Sequence, residues 1–198
     1  MPNTSLTVDI DGALKRLTRV QKKQVPFATS VALNNTAKYV VEKEKQEAKK
    51  KLDEPTPFTL RGFRVRRSNK RNLEAAVYIA PIQAKYLLPH IKGGRQIKKS
   101  QVTPKNLRLN KYGNIPGLRT GKIKKLLQKP NVFAAEIRGV KGIWQRDKKG
   151  GLKLLVASAE RITYKKQFAF YGVAARHASN RFAPEFYKAL RRALASAR

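Results

Sequence analysis

The chain has 198 residues, 41% of them apolar, and 45 Lys or Arg against 12 Asp or Glu, for a net charge of +33. Such an apolar share supports a folded core and excludes wholesale disorder, and the absence of cysteine excludes disulfides and thiolate metal sites. No apolar run approaches the ~20 residues that cross a bilayer, and "MPNTSLTVDIDG" lacks a basic segment followed by an apolar one, so neither a secretory signal nor a membrane partner is expected.

In chain order, "SLTVDI" (5–10) alternates Leu6, Val8 and Ile10 with polar residues and reads as a short strand. Asp11 reads as a cap for a helix over 12–24, and Pro26 as the first turn of a second helix running to Asp53. Leu33, Ala37, Val40, Val41, Ala48 and Leu52 form its apolar positions, and Glu42, Glu44 and Glu47 among lysines read as a solvated face. "DEPTP" (53–57) ends that helix. "FTLRGFRVRRS" (58–68) alternates as a strand with a bulge at Gly62, "SNKRN" turns, and "LEAAVYIAP" (73–81) returns. Phe58 and Phe63 are expected in the core. "IQAKYLLPHIK" reads as a short helix that Gly93 and Gly94 stop with positive φ.

A long basic loop is expected from Arg95 to Thr120, followed by a brief helix capped by Thr120. Three close-spaced strands follow, over 132–139, 142–147 and 152–158, as in an antiparallel meander. The last 30 or so residues read as helical, with Phe168, Tyr171, Ala175, Ala178 and Phe182 on one face. Pro184 is expected to open a last helix, with Phe182 stapled onto Tyr187. The expected fold is α+β: an antiparallel sheet of about five strands with N-terminal helices and a C-terminal helix packed on it, plus the long basic loop. It reads as one domain over 1–198, made of N-terminal strand and helices (1–54), hairpin and short helix (58–92), extended basic loop (93–130), and strands with C-terminal helix (131–198).

Charge is the dominant chemical signal. Between Glu74 and Glu136 every charged residue is basic. Excess of one sign on this scale opposes compaction and calls for an anionic counterpart, nucleic acid first. Arg61, Arg64, Arg66, Arg67, Lys70 and Arg71 are expected to form one electropositive edge, and Arg95, Lys98 and Lys99 a second, with Lys122, Lys124 and Lys125 adding to the DNA- or partner-facing set. No nucleic-acid recognition motif is present, so contact with DNA would be backbone-directed and non-specific. Catalytic signals are absent: no paired histidines, no HExxH and no acidic metal constellation. His90 reads as a packing or capping residue, and "GLRTGK" does not meet the phosphate-loop pattern. No enzyme activity, cofactor or metal is expected.

Four segments carry a resemblance: "YLLPHIKGGRQIKK", "LNKYGNIPGLRTGKI", "GIWQR" and "FYGVAARHASNRFAPEFYKALRRAL". From about Gln83 onward they resemble tailed-phage and prophage virion proteins, and the overall plan is similar to the minor tail protein Z, or tail-completion, family. The resemblance implies a structural virion protein assembled as a homo-oligomeric ring at the head–tail junction, near the DNA exit path. Its implied partners are neighbouring neck, portal-adaptor or tail proteins. Charge alone supports an alternative equally: a monomeric, non-specific nucleic-acid-binding protein, whether packaging, ejected or ribosome-associated.

Overall fold

The computed structural model describes residues 2–8, 18–118 and 121–196, and side chains within these outside 19–22, 96–103 and 159–161. The expected Asp11 cap and residues 12–17 of the helix expected over 12–24 lie outside the described residues; from Arg19 the chain is already in the long helix. The fold is α+β, as expected, but the chain forms two compact units. The first joins Met1–Lys92 to Lys166–Arg198, and the second is Gly93–Lys165. Among the described residues the strands accordingly divide into two antiparallel sheets, of three and four strands, instead of one of five.

In the first unit, β1 (Asn3–Thr7), β2 (Phe63–Arg66) and β3 (Glu74–Ile79) form a sheet in the order β1-β3-β2. Alternation sends Phe63, Val65, Val77 and Ile79 to the core face. Against them pack α1 (Arg19–Lys51), α3 (Pro81–Lys92) and α5 (Phe170–Ala195), with Leu33, Ala37, Val40, Val41, Leu87, Ile91, Phe168 and Phe170 filling the core. Helix α1 packs against α5, β2 and β3. It therefore buries a stripe broader than one amphipathic seam, including Thr29 and Thr36.

Three expectations about this unit are corrected. Both prolines lie inside helices: α1 runs through Pro26 and α5 through Pro184, with no restart at either. Each proline removes one backbone bond, but long helices held by tertiary packing tolerate that loss. On α5 the buried face is Phe170, Val173, Ala174, Ala178, Ala189 and Ala193, so Tyr171 and Ala175 are exposed; Phe182 stacks on Phe186, not on Tyr187. Finally, Phe58 is not on a strand. Thr56 caps a single helical turn, α2 (Pro57–Leu60), by accepting from Thr59 N at 3.2 Å, and leaves Phe58 49% exposed. Thr followed by Pro is an N-cap and N1 signature that outweighs the apparent alternation.

The C-terminal helix returns to this unit through a specific tie. The His90 carbonyl, in the last turn of α3, accepts from Gln167 N at 2.9 Å and Phe168 N at 3.1 Å. Helix ends leave such carbonyls without an intrahelical partner, and here the returning chain supplies the donors.

The second unit is a sheet in the order β4-β7-β6-β5, built from β4 (Gly94–Pro104), β5 (Val132–Ile137), β6 (Val140–Arg146) and β7 (Leu152–Tyr164). The expected meander is present, but β7 runs on to Tyr164 because its second half pairs with β4. The first part of the expected basic loop is thus an edge strand. Its lysines and terminal Pro104 hide it from a reading by alternation, and both suit an edge, where ladder bonds are needed on one side only. Ile115, Val132, Ile143, Leu155 and Val156 form a small core under the helix α4 (Lys122–Leu127). That helix starts at Gly121 (φ 81°); the expected cap, Thr120, lies outside the described residues.

Gly93 and Gly94 take φ of 73° and 103°, as their position after α3 predicts. Nothing lies within 4 Å of a Cβ added to Gly94. Gly94→Val is therefore strained through its backbone alone, by about 1–2 kcal/mol, and is expected to lower the melting temperature by roughly 2–8 °C. Unchanged melting would show that the chain can turn there without glycine.

Candidate functional site

Hydrogen bonding decides which cations of the first cluster are free to act. Alternation on β2 places Arg64 and Arg66 on the face away from the core, opposite Tyr78 and Ala76 of β3. Arg66 is ion-paired with Glu74, so its charge is offset. Arg61 stands apart at the end of α2, where its Nε donates to the Pro57 carbonyl at 3.4 Å. Among the described residues, Arg64, Arg67, Lys70 and Arg71 have no carboxylate partner and are exposed.

The turn carrying three of these cations is held firmly. Ser68 is 7% exposed and bonds to α1 across two helical turns. Its Oγ donates to the Ser30 carbonyl at 3.1 Å, its N–H donates to Asn34 Oδ1 at 2.9 Å, and its carbonyl accepts from Asn34 Nδ2 at 3.1 Å. Asn69 closes the loop: its Oδ1 accepts from Arg71 N and Asn72 N, both at 2.8 Å. Asn at such a position makes a local backbone turn without a tertiary partner. Lys70 Nζ lies 5.1 Å from the centre of the Phe27 ring. On the other side, Arg64 and Arg67 line a groove of about 630 Å3 together with Lys38 and Tyr78. Glu42 also lines it, but is bonded to Lys45 at 2.7 Å. The result is a cationic turn on a fixed base, suited to phosphate oxygens or carboxylates, with no base-reading element.

The second cluster is more dispersed. Arg95 is exposed on β4, in register with Thr163. The side chains of Lys98 and Lys99 lie outside the described residues; their backbone falls where the β4–β7 register shifts, between Ile97 and Gln101. On α4, Ile123 and Leu126 pack inward, Lys124 and Lys125 are exposed, and Lys122 is half-buried. The "YGN" segment is a tight loop in which Asn110 Oδ1 accepts from Tyr112 N at 2.9 Å and Asn114 N at 3.1 Å. In "GIWQR", on β6, the Trp144 indole donates to the Ala135 carbonyl at 3.2 Å, and Gly142 is required because a Cβ would overlap the Val156 carbonyl.

The sequence reading missed Lys38, Ser30, Asn34 and the burial of Ser68. Ser30 and Asn34 stand four apart on an otherwise apolar helix stripe, which is a legible sign that something polar docks there. Glu44 is the larger correction. Expected on a solvated face, it is fully buried, and neither carboxyl oxygen has a hydrogen-bond partner. It lies four residues from both Val40 and Ala48, on the stripe that faces the core. Burial, with Glu47 nearby as a lesser cause, pushes its carboxyl up from 4.5 to about 8, so it is a neutral acid at pH 7.

Among the described residues, no group of three or more His, Asp or Glu is placed to hold a metal ion. His177 packs edge-on against Tyr39, and its pKa is lowered by partial burial and then by Arg176 and Lys43. Also among the described residues, no helix is long and apolar enough to cross a membrane. No protein-family model, curated protein or solved structure matches the chain.

Proposed function

We propose that the chain is a structural virion protein: a tail-completion or neck connector that assembles as a ring at the head–tail junction, close to the DNA exit path. What carries this reading is the cationic turn. Arg67, Lys70 and Arg71 stand on a base clamped by Ser68 and Asn69, beside Arg64, with no carboxylate offsetting them among the described residues. A fixed, unneutralised array with no base-reading element suits passage of phosphates without sequence readout, or contact with an acidic neighbouring ring. The resemblance of the "YLLPHIKGG", "YGN" and "GIWQR" segments to tail-completion proteins supplies the virion context.

Location tests this directly. An antibody to the protein is expected to label intact particles at the head–tail junction in electron micrographs. Label absent from particles, with the protein bound to nucleic acid in the lysate, would replace the connector by a monomeric, non-specific nucleic-acid binder. The role of the turn is tested separately. Replacing Arg64, Arg67, Lys70 and Arg71 together by Ser is expected to leave melting nearly unchanged, since exposed positions typically move stability by less than about 0.5 kcal/mol. Where the protein binds duplex DNA, the slope of log affinity against log salt should flatten by about 0.9 for each phosphate that the variant no longer neutralises. An unfolded variant would make these residues structural, and an unaltered slope would move DNA binding elsewhere on the protein.

A further inference from the structure

A second surface of the first unit combines apolar and cationic character in a way the cationic turn does not. The N-terminal half of α1 and the C-terminal half of α5 meet on small residues, with Ala28, Ala189 and Ala193 all buried. Beside this contact lies a groove of about 400 Å3, within the size range that takes the apolar groups of a ligand. Phe27, 40% exposed, and half-buried Val31 line it together with Ala189 and Ala193. Its rim is cationic from two directions. Lys188 and Arg192, four apart and both exposed, lie on α5, and Lys70 reaches over the Phe27 ring from the turn.

Among the described residues one carboxylate lines the groove, and it is committed internally. Glu185 is buried, ion-paired with Arg181 at 2.7 Å, and accepts from the Asn35 amide at 3.0 Å. Among the described residues, Lys188, Arg192 and Lys70 have no carboxylate partner. An occupant must therefore offer apolar side chains for the floor and negative charge for the rim. A second copy of this chain fits poorly. With 45 basic against 12 acidic residues it brings cation to cation, and Glu42, Glu74 and Glu185 are already paired. Duplex DNA meets the rim, but its exposed apolar groups are isolated thymine methyls and sugar edges, not a continuous stripe for Phe27 and Val31.

We propose that this groove docks an acidic amphipathic helix of another protein, its apolar stripe seated between α1 and α5 and its carboxylates on Lys70, Lys188 and Arg192. A groove between two helices is a common seat for such a third helix, anchored at i, i+3, i+4 and i+7. The inference rests on this groove and not on the virion reading above.

The probe is a fluorescein-labelled peptide of ~14 residues with Leu at i, i+3, i+4 and i+7 and a Glu-rich opposite face, measured by anisotropy with the full chain. A scrambled peptide of equal composition serves as the control. The amphipathic peptide is expected to bind at least about tenfold tighter than the scramble. Phe27→Ser, and separately Lys188→Glu with Arg192→Glu, should each weaken it by about tenfold or more. A single charge reversal at exposed Lys50, near the far end of α1 and roughly 28 Å along the helix from Val31, should change it by less than about twofold. Equal binding of the scramble would reduce the effect to net charge and overturn the proposal. So would binding indifferent to the groove variants, or competition by duplex DNA that depends on Lys188 and Arg192 but not on Phe27. Dimerisation of the free chain that Phe27→Ser abolishes would also overturn it, in favour of a second copy. Should Phe27→Ser fail to fold by circular dichroism, the exposed Lys188 and Arg192 pair decides the matter.

Discussion

Glu44→Leu is expected to stabilise the protein, and to do so more as pH rises from about 5 to 8. The Glu44 carboxyl is fully buried without a hydrogen-bond partner, and burial raises it from 4.5 to about 8. Below 4.5 the group is protonated in folded and unfolded chains alike, so it adds no dependence on pH. Between 4.5 and about 8 the unfolded chain releases a proton that the folded one keeps, and stability falls as pH rises. Each pH unit in that window costs about 1.4 kcal/mol, and the full penalty above pH 8 is on the order of 4–5 kcal/mol. His177 works in the opposite sense, because its lowered pKa makes folding more favourable as pH rises through the ordinary histidine range. The quantity to measure is therefore the difference between wild type and variant in urea unfolding at several pH values. Glu44→Gln should flatten the pH dependence similarly, but with less absolute gain because its amide remains buried. A difference that does not vary with pH would mean that Glu44 is ionised or hydrated in the folded protein.

Phe168→Ala is expected to cost about 3–5 kcal/mol, the range for removing a large aromatic from a packed core. Phe168 is fully buried, 5.8 Å from the Phe63 ring and 6.2 Å from the Phe170 ring, edge-on to both. Such pairs add roughly 0.5–1.5 kcal/mol beyond the area they bury. The residue also sits where the chain re-enters the first unit, with its N–H on the His90 carbonyl. Its loss therefore opens a cavity at the junction of two segments far apart in sequence. Phe168→Leu should recover much of the stability because it refills most of the volume. The check is urea unfolding of both variants, and a change below about 1 kcal/mol for Phe168→Ala would place this side chain outside the core.

Some of this could be seen in the residues directly. Strand-like runs at 132–139 and 142–147, joined by a close turn, marked β5 and β6, and turn chemistry at 68–72 marked the link between β2 and β3. Two glycines after α3 marked a positive-φ stop. The exposed members of the basic turn were also legible, because charged side chains remain in water unless paired. Other features were legible but read for the wrong signal. Thr56-Pro57 announces a helical turn, yet Phe58 and Leu60 resemble strand alternation, and the cap decides the outcome.

Local sequence was enough for the α+β class, the three-stranded meander of the second unit, and a large positive charge with no opposing acids through the middle of the chain. Those follow from periodicity, turn residues and composition, which need no partner to take effect. Long-range packing fixed what the pattern leaves open. It divided the strands into two sheets, gave β4 its identity through pairing with β7, and carried α1 and α5 through their prolines. It also buried Glu44 and set Ser68 against Ser30 and Asn34. An amphipathic pattern states which residues prefer to leave water; it does not state which surface covers them. Glu44 is buried because its position on α1 turns it toward a packed face, and the apolar residues around it outweigh the cost of one neutralised acid.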